Sequence, residues 1–258
     1  MAHLFHTTGI ILSRRDHREV DRWYSVLTKE HGKMEFLARG GHKPLAKLTP
    51  HLESRAEVEL LLVQGRQYLT VAGVERRRSF LFLAQDISLF LLAQNALAFV
   101  DVATKPHERD PVLYHLLEDW LEFLCGLPGV SDERAGFLLG SFMLKLMAVN
   151  GYRPELQRCL ACQKQIASGS FAWHALKGGV VCQTCVNQDQ RQWFAARTIE
   201  NETLKLVRFA LDEPFLFQTR PHLSAKQLEG FHELLESFII CHFAIIPPVS
   251  VRIACTTA

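Results

Sequence analysis

The chain has 258 residues, 48% hydrophobic and 22% charged, a composition ordinary for a soluble globular protein and a length sufficient for two domains with separate cores. No low-complexity tract or internal repeat is visible. The net charge of +2 points to no partner, but its distribution does: residues 1–80 carry fourteen Lys/Arg against nine Asp/Glu, and residues 81–258 carry fifteen against eighteen. A polyanion is therefore expected at the N-terminal end.

The opening MAHLFHTTGIILSRRD has neither the basic segment nor the long apolar segment of a signal peptide. Residues 1–80 read as five short strands, near 5–14, 22–30, 33–39, 55–63 and 67–77, with hairpin turns at Glu30-His31-Gly32 and Gln64-Gly65. Gly32 is placed to take a positive φ. Five short antiparallel strands in eighty residues suit an OB-type β-barrel. Trp23, Val26 and Leu27 would also fit a helix face, but the closeness of the third strand favours a strand.

After Phe80 the hydrophobic period becomes helical. Helices are predicted near 80–100, 109–125, 132–150 and 224–243. The first is the most apolar stretch of the chain, yet Gln85, Asp86, Ser88, Gln94 and Asn95 interrupt it. Placing Asp86 in lipid would cost about 3 kcal/mol, so a buried core helix is expected and no membrane span. Ser131 with Asp132 and Glu133 starts the third helix, and Gly151 and Pro154 stop it. Its apolar circumference makes it the expected central helix, with Gly136 and Gly140 allowing close approach of another backbone. Ser224 and Gln227 form a capping box for the last helix.

Two Cys-x-x-Cys pairs, Cys159/Cys162 and Cys182/Cys185, are separated by nineteen residues. In a cytosolic chain this spacing favours one structural four-thiolate Zn2+ over disulfides. Each pair presents two sulfurs at about 2.3 Å to a tetrahedral ion. A segment this short cannot order itself by burial, and a bound zinc supplies about 10–16 kcal/mol in comparable peptides. Phe171-Ala172-Trp173 reads as a strand, and Gly178-Gly179 as a turn into Val180-Val181. His174 is the one substitute ligand between the pairs and is not expected to bind. Four thiolates leave no open position for catalysis. Cys125, Cys241 and Cys255 show no partner pattern.

The chain is thus read as α+β and multidomain. Residues 1–80 form a nucleic-acid-binding barrel, and residues 81–258 form a mainly helical domain with a zinc-ribbon-like module inserted at about 155–190. The expected nucleic-acid contacts are Arg14, Arg15, Arg18, Arg22, Lys29, Lys33, Arg39, Lys43, Lys47 and Arg66. Trp23, Tyr24, Phe36 and Tyr68 are stacking candidates that fit a barrel core better. No P-loop, nucleophile elbow or dinucleotide-binding glycine pattern is present, and His232-Glu233 lacks a second histidine. Glu118, Asp119 and Glu122 read as a solvated acidic face. No enzyme is indicated.

The segment TTGIILSRRDHREVDRWYSVLTKEHGKMEFLARGGHKP, followed later by GYRPEL and the doubled Cys-x-x-Cys, resembles the RecO family of bacterial DNA repair proteins. The likeness is specific over residues 6–80 and 140–185 and looser elsewhere. It departs after Leu37-Ala38-Arg39-Gly40, where the chain has Gly41-His42-Lys43-Pro44-Leu45 in place of a denser basic run; the expected contact there is either weaker or moved to Lys47 and neighbouring strands. The resemblance implies a non-catalytic, cytoplasmic, nucleoid-associated recombination mediator. Such a protein binds single- and double-stranded DNA and anneals complementary strands. It works with RecR, contacts the acidic C-terminal tail of the single-stranded-DNA-binding protein (SSB), and helps RecA replace SSB on single strands. Arg109, Lys145, Arg153, Arg158, Arg197, Lys205 and Arg208 are the basic residues from which a pocket rim for that tail would be drawn. The alternative is a zinc-ribbon protein acting on RNA or in transcription.

Overall fold

The computed structural model describes residues 3–41, 48–52, 56–80, 86–167 and 169–243. The chain divides into two compact units, Met1–Gly129 and Val130–Ala258.

The first unit is built on a closed barrel of five strands in the order β1-β2-β3-β5-β4. These are β1 (Leu4–His17), β2 (Asp21–Thr28), β3 (Gly32–Ala38), β4 (Ala56–Gln64) and β5 (Leu69–Ser79). Adjacent antiparallel ladders run through β1, β2 and β3 and through β1, β4 and β5. A short parallel pairing, Phe36 to Leu69 and Leu37 to Thr70, closes the cylinder. The second strand is a strand, as the sequence suggested. Gly32 has φ +69°, and a Cβ there would stand 2.2 Å from the Glu108 carbonyl oxygen. The barrel core includes Ile11, Tyr24, Val26, Phe36, Val58 and Leu60, with the Tyr24 and Phe36 rings stacked at 5.5 Å.

Ile10, Ile11 and Leu12 are all fully buried because β1 has the core on one side and helix α1 (Ile87–Ala103) on the other. Asp86 is the N-cap of α1, accepting the Leu89 N–H at 2.9 Å. Asp101 of α1 accepts the hydroxyls of Ser13 and Ser25, both at 2.6 Å, and lies 3.6 Å from the Lys33 ammonium. Helix α2 (Pro111–Cys125) is fixed to β4 and β5 by polar contacts. Arg78 bonds Glu57 at 2.9 Å and also Glu118 and Glu122, while the Tyr114 hydroxyl donates to Glu57. Glu118 and Glu122 are therefore partners of Arg78 and not a free solvated face. The helical hairpin that follows residue 80 thus lies in the barrel's compact unit.

In the second unit α3 (Asp132–Val149) is buried on nearly every side, as its composition predicts. Gly140 does admit close approach, but of a ring: a Cβ there would meet the Phe231 side chain at 2.5 Å. Phe231 lies on α6 (Ala225–His242), which opens with the expected Ser224/Gln227 capping box. Between them runs α5 (Asn201–Asp212), which the sequence reading did not assign. Its C-terminal carbonyls are satisfied from outside the helix: the Lys145 ammonium donates to Leu211 O, and buried Gln218 donates to Glu213 O.

The cysteine module contains a three-stranded sheet, β7-β6-β8, made of β6 (Phe171–His174), β7 (Gly179–Cys182) and β8 (Arg197–Ile199). The short helix α4 (Gln183–Gln188) follows β7. The first two strands and the Gly178 turn (φ +64°) match expectation; β8 does not come from the sequence pattern. The Trp173 ring packs on Phe238 of α6 at 5.4 Å, and its indole N–H donates to Ser237. Arg208 of α5 donates to the carbonyls of Leu156 and Ile166. These contacts tie the module to two helices of its own unit. Among the described residues no helix is long and apolar enough to cross a membrane.

Candidate nucleic-acid interface and metal centre

The two ends of the barrel differ. At the β2–β3 hairpin, Lys33 is only 12% exposed and donates to the Asp101 carbonyl, while the His107 N–H donates back to Lys33 O. Lys29 is exposed, with its ammonium 5.5 Å from the Tyr114 ring centre. Both lysines thus stand on the side covered by α1 and α2. Burial of Lys33 beside a carboxylate serves the fold, since an unpaired buried cation would be costly.

Of the remaining described candidates, Arg14, Arg15, Arg18, Arg22 and Arg39 lie toward the β1–β2 turn, while Arg66 lies in the β4–β5 turn beside the start of β1. Arg14 and Arg15 are exposed near the end of β1, Arg18 takes φ +55° in the β1–β2 turn, and Arg39 and Arg66 are exposed in loops. Arg22 is mostly covered and bonds Asp16 at 2.8 Å. Lys43 and Lys47 lie outside the described residues.

The four aromatic candidates separate cleanly. Tyr24 and Phe36 point into the barrel core, whereas Trp23 and Tyr68 are half-exposed and meet edge to face at 5.5 Å. The Arg15 guanidinium lies 5.7 Å from the Trp23 ring centre and also bonds Glu35 at 3.2 Å. His17 completes the cluster at 6.0 Å from Trp23. Strand alternation is the cause: Trp23 and Tyr24 are neighbours, so their side chains leave opposite faces of β2. The sequence signal for Trp23 was its phase relative to Ile11 and Phe36, readable only once strand register was known. A cation over an indole beside a second ring can bind a phosphate and stack on a base.

In the second unit the four sulfurs of Cys159, Cys162, Cys182 and Cys185 all lie within 4.8 Å of one another. The Cys162 and Cys182 sulfurs are 3.9 Å apart, close to the ~3.8 Å edge of a tetrahedron with metal–sulfur bonds of about 2.3 Å. The Cys182 N–H donates to the Cys159 sulfur at 3.4 Å. Burial works against the Cys159 thiolate, but N–H donors from Cys162, Cys182 and Ala161 outweigh it and bring its pKa down to about 6. Cys185 moves the other way, to about 12, because it is buried and faces the other sulfurs. Four clustered thiols cannot all ionise alone, and a thiophilic divalent cation removes that conflict. The donor set therefore fits a metal ion. His174 is buried, and its Nδ1 is engaged by the Lys177 N–H at 3.2 Å. It is absent from the cluster, the one metal-ligand grouping among the described residues.

The possible rim residues scatter. Lys145, Arg153 and Arg208 are engaged with Leu211 O, Asp212 and Leu156 O respectively. A hollow of about 340 Å³ is lined by Lys205, Leu206, Phe209, Arg220 and Pro221 among others. Arg220 was not among the sequence candidates; it lies 4.1 Å over the Phe217 ring.

Two family models match the chain: "Recombination protein O N terminal" over residues 1–80 and "Recombination protein O C terminal" over residues 84–250. A protein of Pelotomaculum thermopropionicum named DNA repair protein RecO is 31% identical over 241 residues, covering 89% of each chain. A protein of the same name from Alkaliphilus metalliredigens is 26% identical over 255 residues, covering 97% of this chain and 98% of its own. Another, from Moorella thermoacetica, is 28% identical over 198 residues, covering 76% and 72%.

Proposed function

This chain belongs to the RecO family of DNA repair and recombination proteins, and on that premise we propose that it is a recombination mediator with no catalytic chemistry of its own. It binds single- and double-stranded DNA, anneals complementary strands and, with RecR, helps load RecA onto SSB-coated single strands in the bacterial cytoplasm at the nucleoid. The observation that carries the DNA-binding part is the half-exposed Arg15–Trp23–Tyr68 cluster on the outer surface of the barrel, with Arg14, Arg18, Arg39 and Arg66 exposed in the same unit. Cations along such a groove follow the phosphates, and the rings accept unpaired bases. Neutralising two strands lowers the repulsion that slows their pairing.

One structural Zn2+ held by Cys159, Cys162, Cys182 and Cys185 orders the module. The acidic, hydrophobic-ended SSB tail has a candidate seat in the hollow rimmed by Lys205 and Arg220 over Leu206 and Phe209. The test is annealing of SSB-coated complementary oligonucleotides by the intact protein and by an Arg14→Ala, Arg15→Ala, Arg66→Ala variant. Annealing should slow and become less salt-sensitive in the variant. Unimpaired annealing would reject this surface, and a strong RNA preference without annealing would favour the RNA reading.

A further inference from the structure

The cysteine module differs in charge from the rest of its unit. Residues 156–199 hold five Lys/Arg, namely Arg158, Lys164, Lys177, Arg191 and Arg197, and a single acidic residue, Asp189. The remainder of the same unit, residues 130–155 and 200–258, holds eight Lys/Arg against ten Asp/Glu. All five module cations are exposed. Even four thiolates around a divalent cation, a net of −2, leave the module positive.

One end of the module adds an aromatic surface. Phe194 is 79% exposed, more than any other large hydrophobic side chain described. Its neighbour Trp193 is buried, with the Lys177 ammonium 4.1 Å from its ring centre and His174 against it at 5.7 Å. The Arg197 guanidinium donates to the Phe194 carbonyl at 3.4 Å, and Leu176, beside Lys177, is 66% exposed. Trp193 therefore anchors the loop while Phe194 stands outward among cations. A lone exposed apolar residue needs no explanation. An exposed ring on a basic module, in a unit whose remainder is slightly acidic, calls for a partner with negative charge and flat apolar faces. A single nucleic-acid strand offers both, whereas a duplex hides its base faces and an acidic peptide has no series of rings.

We infer that this end of the cysteine module is a second single-strand nucleic-acid surface, with Phe194 stacking on an unpaired base and Arg191, Arg197 and Lys177 meeting phosphates. It lies in a different compact unit from the barrel surface, so one chain can hold two strands, as annealing requires. The inference rests on the proposed function only in taking nucleic acid as the polyanion.

The experiment uses the full-length, zinc-loaded protein with a dye-labelled oligo-dT strand and its iodouracil counterpart. Photocrosslinking should label the tryptic peptide 192–197, which contains Trp193 and Phe194. Phe194→Ser should weaken binding about five-fold or more. Arg191→Gln with Arg197→Gln should reduce the salt slope by about 0.7 per lost phosphate contact. Zinc content and melting temperature serve as folding controls; the crosslink in the unaltered protein decides the matter if a variant fails them. Binding of the strand with unchanged affinity in Phe194→Ser and no crosslink in 192–197 would overturn the inference while leaving the barrel reading intact. Failure of the unaltered protein to bind any strand would overturn both. If the variants lost binding only to a poly-glutamate peptide, the surface would be a peptide site and the inference would again fall.

Discussion

Replacing Trp23 by Ala, and separately its neighbour Tyr24 by Ala, tests the division between barrel surface and barrel core. Trp23→Ala removes an edge contact with Tyr68 and a cation–π contact with Arg15. Together these are worth about 1–2 kcal/mol of stability. The larger effect falls on single-strand affinity, where loss of one stacking ring costs about 1–3 kcal/mol, or roughly 5- to 150-fold. Tyr24→Ala instead opens a void beside Phe36 in a fully buried core and should cost about 3–5 kcal/mol of stability. Urea unfolding followed by circular dichroism gives the first quantity, and fluorescence anisotropy with a labelled oligonucleotide gives the second. Trp23→Ala should also leave the slope of log K against log salt unchanged, because no phosphate contact is lost, whereas Arg15→Gln should lower it by about 0.7. Full affinity in Trp23→Ala would refute the stacking argument even if the protein remained slightly destabilised.

Replacing Cys159 and Cys162 by Ala should abolish metal binding and the cooperative melting of the second unit, since about 10–16 kcal/mol of apparent binding energy exceeds what most such units possess. Unchanged melting by calorimetry would show that the metal is not structural. Asp101→Asn leaves Lys33 facing a neutral group; with Asp101 24% exposed, a loss of about 1–3 kcal/mol is expected in urea unfolding, and a loss below about 0.5 would show that the pair is solvent-screened. Lys145 is pushed down from its ordinary 10.5 to about 8, chiefly by burial. The unfolded chain therefore binds more protons between these values, and this lysine makes stability rise as pH rises from about 8 to 10.5. The difference between the unaltered protein and Lys145→Met, measured by denaturation across that range, should show the rise; a flat difference would contradict it.

Local chemistry made much of this protein legible in advance. Alternating apolar residues and a Gly32 turn specified five strands, because the period of a strand is set by its own backbone. Ser131 and Ser224 marked helix starts because a cap satisfies N–H groups within its own turn. The spacing of the four cysteines forecast their convergence, since each Cys-x-x-Cys turn fixes two sulfurs locally. Helix α5 and strand β8 were missed for the opposite reason. Strand β8 is three residues long and exists through pairing with β6, while the end of α5 is completed by Lys145 and Gln218 from elsewhere.

The candidate surface shows the same boundary. Sequence alone supplied a basic first third and four aromatic candidates, and it could not rank them, because charge and ring content do not state which face a residue takes. Barrel closure turned Tyr24 and Phe36 inward and Trp23 and Tyr68 outward. Packing of α1 drew Lys33 into a buried pair with Asp101, while Arg15 kept an exposed guanidinium over Trp23. Which cations remain for a polyanion is thus a property of non-local burial: desolvation and pairing are settled by segments up to 68 residues away in the chain, as Lys33 and Asp101 are.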